Sequence, residues 1–171
     1  QTRGLFGGGD RAPTADLTDV IDYITIASVG NATDFGNLSV SRQMPGACSS
    51  PTRGVWAGGR TPTILNTIDY ITIATTGNAT DFGDLTVTTF SIDGLSSNTR
   101  GLFAGGTTPT MVNTIGYITI ATTGNAVDFG DLITVNSHYA CASNNITGVW
   151  TGGYDGSGEG YNLIEYVNIA S

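Results

Sequence analysis

The sequence predicts an all-β protein built from one small antiparallel sheet written several times. Three observations carry this. A phrase recurs: YITIASVGNATDFGNL from Tyr23, YITIATTGNATDFGDL from Tyr70, YITIATTGNAVDFGDL from Tyr117 and YVNIAS from Tyr166. The four tyrosines are spaced by 47, 47 and 49 residues. Each phrase alternates and is rich in β-branched residues, which suits a strand rather than a helix. Glycine pairs punctuate all four copies, and Gly-Asn turns the first three, at matching places, as reversals between short strands require.

The elements of one repeat follow in order. Small-residue stretches, PGACSS, DGLSSN and ACASNN, make one strand. The phrases RGLFGGG, RGVWAGG, RGLFAGG and TGVWTGG make the next, with Gly4, Gly54, Gly101 and Gly148 spaced by 50, 47 and 47 residues. This strand ends sharply at Gly8-Gly9, Gly58-Gly59, Gly105-Gly106 and Gly152-Gly153. The following loop carries the extra residues, in DRAPTADLTD and YDGSGEGYN against RTPTILN and TTPTMVN. Insertions confined to one junction mark a surface loop. TIDYITIAT is the third strand, with Ile68, Tyr70 and Thr72 on one side and Asp69, Ile71 and Ile73 on the other. Gly77 is free to take positive φ in the turn, and DFGDLTV is the last strand.

Four strands in about 47 residues is the size of a propeller blade. One such sheet cannot bury both faces alone, but stacked sheets cover one another. The chain reads as a single repeat domain, 1–171, with repeats 1–46, 47–93, 94–140 and 141–171. It opens on the second strand of a repeat and closes on the third, giving three, four, four and three strands. That pattern is expected of a window on a longer chain.

Composition narrows the function classes. Charged residues are only 12%, and all six basic residues are arginine. The net charge of −8 and pI near 4.1 argue against binding nucleic acid by neutralising phosphates. No apolar run approaches the ~20 residues of a membrane-spanning helix. Acidity without lysine favours solubility and fits an extracellular or seawater-exposed protein. Cys48 and Cys141 stand at nearly the same place in two repeats, where the middle repeat has Leu95. Small buried apolar roles are favoured over a disulfide, because equivalent positions of non-adjacent repeats rarely meet.

The glycine doublets and the tyrosines Tyr23, Tyr70, Tyr117 and Tyr166 resemble those of kelch-repeat β-propellers. Phe35, Phe82 and Phe129 stand where kelch repeats usually carry Trp, and the Tyr-to-Phe spacing is longer than in kelch, so the likeness is kelch-like. The RGVFGGG…IDYITIATTGNATDFGDLT style also resembles repeats of virion-associated, tail-fibre-like proteins of marine and cyanobacterial phages. The resemblance implies a propeller, or a propeller segment, of about four blades. It also implies a virion or extracellular setting and a structural role, which leads to the expectation of host attachment, homo-oligomerisation and other virion or fibre subunits as partners; a host glycan is expected as ligand from the variable loops considered next. The alternative is a purely architectural fibre or decoration subunit.

In a kelch blade the 2–3 and 4–1 loops share one face. The variable residues there are Arg11, Arg60, Tyr154 and Tyr161 on the first side, and Arg42, Phe90, His138 and Tyr139 on the second. Aromatics with Arg suit a sugar or protein surface. No catalytic set is convincing: His138 is the only histidine, and a depolymerase would have to rely on Asp155 and Glu159. No cofactor is expected. Asp34, Asp81, Asp84, Asp128 and Asp131 are weak Ca²⁺ candidates, set against a turn role as acceptors of backbone N–H bonds. Arg3, Arg53 and Arg100 recur before the doublet strand and are expected to pair with an Asp of the neighbouring repeat. Asn31, Asn37, Asn78 and Asn145 lie in N-x-S/T sequons, open to glycosylation in a eukaryotic secretory setting.

Overall fold

The computed structural model describes residues 2–11, 14, 16–158 and 160–169. These residues form strands and no helix, arranged as small antiparallel sheets. Sheet one contains β1 (Arg3–Gly7), β4 (Val20–Thr25) and β5 (Thr33–Asn37). A two-residue hairpin, β2 (Asp10–Arg11) with β3 (Asp16–Leu17), decorates its long loop. Sheet two is β6 (Gly46–Ser49), β7 (Arg53–Ala57), β8 (Thr67–Thr72) and β9 (Thr80–Asp84). Sheet three is β10 (Asp93–Ser96), β11 (Arg100–Ala104), β12 (Thr114–Thr119) and β13 (Val127–Asp131). Sheet four is β14 (Ala140–Ser143), β15 (Thr147–Thr151) and β16 (Ile164–Asn168). Strands neighbour one another in sequence order within each of these four sheets, and no sheet closes on itself among the described residues.

Two local features differ from the sequence reading. The last strand of a repeat is shorter than DFGDLTV: β9 ends at Asp84, and Leu85 turns inward, its N–H bound to Asn66 O at 2.7 Å. The third strand carries a bulge, between Ile68 and Asp69 in β8 and at the same place in β4 and β12. A bulge bends the strand and increases its twist.

Each sheet has a leading face and a trailing face. In sheet two the leading face carries Val55, Ile68, Tyr70 and Phe82, and the trailing face carries Trp56, Asp69 and Ile71. Three cores result, each joining a leading face to the trailing face of the next sheet. The first gathers Ile21, Tyr23 and Phe35 with Trp56, Ile71 and Ile73. The second gathers Val55, Ile68 and Phe82 with Phe103, Ile118 and Ile120. The third gathers Leu102, Ile115 and Leu132 with Trp150, Val167 and Ile169. Each fully buried Ile, Leu or Phe contributes roughly 1.5–3 kcal/mol, so burial on both faces holds the stack together.

Repeated polar clamps cross these cores. Arg3, Arg53 and Arg100 lie over Tyr23, Tyr70 and Tyr117 of their own sheet, at 4.6, 4.4 and 4.6 Å from the ring centres. Their guanidinium groups donate to Ile73 O, Ile120 O and Ile169 O of the next sheet, at 2.6, 2.7 and 3.3 Å. The expected Asp partners are therefore replaced by carbonyls, because the carboxylates of the DFG segment lie on exposed strand positions. Tyr23, Tyr70 and Tyr117 meet Phe35, Phe82 and Phe129 edge-on, at 5.9, 5.7 and 6.1 Å.

A second clamp uses the Gly-Asn turn. Asn78 Oδ1 accepts from Asn37 N, and Asn125 Oδ1 from Asp84 N, at 3.1 and 3.0 Å. Gly77 N donates to Phe35 O and Gly124 N to Phe82 O, both at 2.8 Å. The turn of one repeat thus binds the last strand of the repeat before it. Gly83, at φ 144, has no room for a side chain: a Cβ there would stand 2.5 Å from Gly124 O. A third clamp joins the first strands, where Ser96 Oγ donates to Ser49 O at 2.7 Å and Ser143 Oγ to Ser96 O at 2.8 Å.

The cysteines are free thiols, each half-buried. They are not equivalent, since Cys48 pairs with Val55 and Cys141 with Trp150, on opposite faces of their sheets. Cys141 Sγ donates to Gly94 O at 3.0 Å. Burial, reinforced by Asp93, pushes its thiol up to about 12, and burial likewise raises Cys48.

Candidate binding face

The glycine doublets set up one end of the molecule. Gly58 and Gly59 have φ of 65 and 94, a pair of left-handed residues that only glycine adopts easily. They terminate β7, and Gly59 N donates to Thr89 O at 2.8 Å. The loop after the second strand is thereby tied to the loop entering a first strand. Those loops also pair directly. Gln43 and Arg60 exchange two backbone hydrogen bonds, as do Phe90 with Thr107 and Ser137 with Tyr154. The variable loops of the repeats share this face.

A column of strained residues runs along it. Met44, Ser91 and His138 occupy the same position in successive repeats, 47 residues apart. They are the described non-glycine residues with positive φ, at 55, 52 and 58. Ser91 N donates to Met44 O at 3.1 Å and His138 N to Ser91 O at 3.3 Å. Side chains continue the column: Ser91 Oγ lies 3.3 Å from Met44 Sδ and 3.2 Å from His138 Nε2. His138 Nδ1 is 2.9 Å from Ser137 Oγ, and its ring meets Tyr154 edge-on at 6.4 Å. A depression of about 200 Å³ lies here, lined by Met44, Pro45, Ser91, Asp93, His138 and Tyr139 among others. Burial raises Asp93 above the usual carboxylate range, against the hydrogen bonds from Cys141 and from Gly94 N at 2.9 Å.

Most sequence-selected binding residues reach this face, and two do not present themselves to solvent. Arg60 stacks on Phe90 at 4.9 Å, joining adjacent repeats. His138 and Tyr154 are exposed, Tyr161 is half-buried, and Arg11 is exposed on the β2–β3 hairpin. Tyr139 is buried against Trp150 and Leu132, and its hydroxyl proton is held by burial, with Glu165 adding to the effect. Arg42 is the larger correction. It is fully buried, ion-paired to the equally buried Asp69 on β8 of the next sheet, and donates to Gly58 O and Thr67 O at 3.1 and 3.0 Å. Asp69 Oδ2 also accepts from Ser39 N and Oγ at 3.0 and 2.9 Å. Burial lowers the Arg42 guanidinium below its ordinary value, and Asp69 opposes that. A charge so fully spent inside the protein is not available to a ligand.

The remaining candidates are placed as follows. Asp34, Asp81 and Asp128 sit exposed on β5, β9 and β13, and the turn bonds expected of them come instead from Asn78 and Asn125. No cluster of three or more His, Cys, Asp or Glu side chains suited to a metal occurs among the described residues. Asn31 is exposed and Asn37 half-buried, while Asn78 and Asn145 each accept a backbone N–H of another repeat. Of the depolymerase pair, Glu159 lies outside the described residues; Asp155 Oδ1 accepts from Ser157 N and Oγ at 2.7 and 2.6 Å. Sequence reading missed Met44, Ser91 and Asp93. Superposing the repeats on His138 would have found the first two.

Among the described residues, one imidazole, hydroxyls, a thioether and aromatic edges surround the open depression. No known protein family matches the chain, and no curated protein is recognisably similar to it.

Proposed function

We propose that the chain is a kelch-like β-propeller segment acting as a structural and adhesive component of a virion or extracellular appendage. The propeller reading is supported by sheets that stack leading face to trailing face, with the first strands β6, β10 and β14 joined through Ser49, Ser96 and Ser143. The adhesive reading is carried by one observation: the strained column keeps its backbone while its side chain changes from Met44 to Ser91 to His138. Met44 and His138 are exposed with Ser91 buried between them, and residues of unlike chemistry on one constrained backbone are what a recognition surface uses. Arg60, Phe90, His138 and Tyr154 would contact a host-surface glycan or a protein, and no catalytic step is assigned.

The test is a printed panel of bacterial surface polysaccharides probed with labelled protein. Retention on a restricted subset of sugars supports adhesion. Retention on none favours the architectural alternative, a fibre or decoration subunit, which the repeated inter-sheet clamps would also serve.

A further inference from the structure

The first and third junctions share a frame and differ in charge. Arg42, Thr89 and Asn136 stand 47 residues apart. Each side chain donates to the first carbonyl of the next glycine doublet, Gly58 O at 3.1 Å, Gly105 O at 3.4 Å and Gly152 O at 2.8 Å. Asp69 and Glu165 also coincide: they lie opposite Trp56 and Trp150 in their sheets. Each accepts a backbone N–H from the end of the preceding sheet, Ser39 N at 3.0 Å and Ile133 N at 2.6 Å. Asp69 is then ion-paired to Arg42. For Glu165 the position of that arginine is held by neutral Asn136.

Unpartnered polar atoms gather at this third frame. Glu165 is 5% exposed and Tyr139 9%. Glu165 Oε2, the Tyr139 hydroxyl and Thr134 Oγ1 are buried without a hydrogen-bond partner. Thr134 adjoins Ile133, whose N–H holds Glu165 Oε1, and the Glu165 charge reaches the Tyr139 hydroxyl. Asp69 Oδ1 is unpartnered too, but there the guanidinium supplies the opposite charge. Burying a carboxylate without a compensating charge is costly.

We propose that the third junction binds a hard monovalent cation, sodium or potassium, where the first junction places the Arg42 guanidinium. Glu165 Oε2 is its charged ligand, and the Tyr139 and Thr134 hydroxyl oxygens are neutral ones. Oxygen donors of this kind are what hard cations take. One carboxylate balances one positive charge. A divalent ion would leave a buried positive charge, and no cluster of three or more His, Cys, Asp or Glu side chains stands among the described residues to balance it. The site is internal to the chain, between sheets three and four, and is independent of any ligand on the loop face.

Thermal unfolding at neutral pH and constant ionic strength, in sodium, potassium or choline chloride, tests this. Choline is too large to enter a buried site. The wild-type midpoint should stand several degrees higher in one of the alkali salts than in choline, and should rise with that ion's concentration to a plateau set by binding to the folded state. Glu165→Gln keeps an acceptor for Ile133 N but removes the charge, and should lose the difference between salts. Asn136→Arg with Glu165→Asp copies the first junction, supplies the cation from the chain, and should lose it too. The wild-type comparison stands without either variant. Equal wild-type midpoints in the three salts would overturn the proposal, and would leave water between Glu165 and the unpartnered Trp150 Nε1. A difference between salts that persists in either variant would overturn it as well.

Discussion

The junctions between sheets and the loop face are built from the same repeat, yet they treat sequence oppositely. At the junctions the copies agree: Arg3, Arg53 and Arg100 make the same bond, and Asn78 and Asn125 close the same turn. On the loop face, backbone geometry is kept while side chains change, as at Met44, Ser91 and His138. Where one copy must fit the next, a substitution costs stability twice, on its own sheet and on its neighbour. Where a residue faces solvent, only a ligand constrains it.

One junction position breaks the uniformity and shows how it is allowed to vary. Arg42 and Asp69 are an ion pair at the first junction. The corresponding residues are Thr89 with Gly116 at the second, and Asn136 with Glu165 at the third. The Glu165 carboxylate accepts from Ile133 N at 2.6 Å, the place where Ser39 N meets Asp69. The first junction carries both charges and the second neither, whereas at the third Glu165 is buried with no cation opposite it among the described residues.

The largest expected effect breaks that pair. Arg42→Ala strands Asp69 inside the protein and should cost about 3–5 kcal/mol in urea unfolding. The double change Arg42→Thr with Asp69→Gly copies the second junction and should recover most of it. If the double variant is as unstable as the single one, the two positions are not coupled.

Next comes a contrast between like glycines. Gly83 and Gly130 share positive φ, 144 and 139, but only Gly83 meets a following turn; nothing stands within 4 Å of a Cβ at Gly130. Gly130→Ala should cost about 1–3 kcal/mol from backbone strain alone. Gly83→Ala should cost clearly more, because Gly124 must also move. Equal losses would mean that the turn does not bear on the strand.

Smaller still, Asn78→Ala and Asn125→Ala should each cost about 1 kcal/mol, the value of one hydrogen bond. Asn31→Ala is the control: its turn has no earlier sheet to clamp among the described residues, so its midpoint should shift by no more than about 0.5 kcal/mol. A loss at Asn31 matching that at Asn78 would remove the clamp from the account.

The mildest effect is a slope with pH. Asp93 holds its proton more tightly when folded, so the folded state binds more protons than the unfolded chain above the ordinary carboxylate value of about 4. Stability should therefore fall as pH rises from there until Asp93 ionises in the folded state. Asp93→Asn should flatten that segment of the stability curve, and an unchanged slope would assign it to other carboxylates.

Much of the fold was legible because repetition exposes it. TIDYITIAT, the Gly58-Gly59 pair and the Gly77-Asn78 turn each declare a strand or a reversal locally, and three or four copies of each say it together. What a single sequence hid was contact between copies. Arg42 looked like a loop charge because its partner Asp69 lies on the next sheet. Arg53 looked destined for a carboxylate, but sheet stacking brings it to Ile120 O. The loop face was partly visible, in His138 and Tyr154. Met44 and Ser91 were hidden because nothing in their residue types announces a left-handed backbone.

The division between holding and binding is tested most directly by one triple variant, Arg60→Ala/His138→Ala/Tyr154→Ala, measured for melting temperature and for retention on the polysaccharide panel. The account predicts a melting temperature within about 2–4 °C of wild type, the shift expected for about 1 kcal/mol in a chain of this size, together with lost retention. Retention that survives the three changes, or a melting temperature that collapses with them, would contradict it.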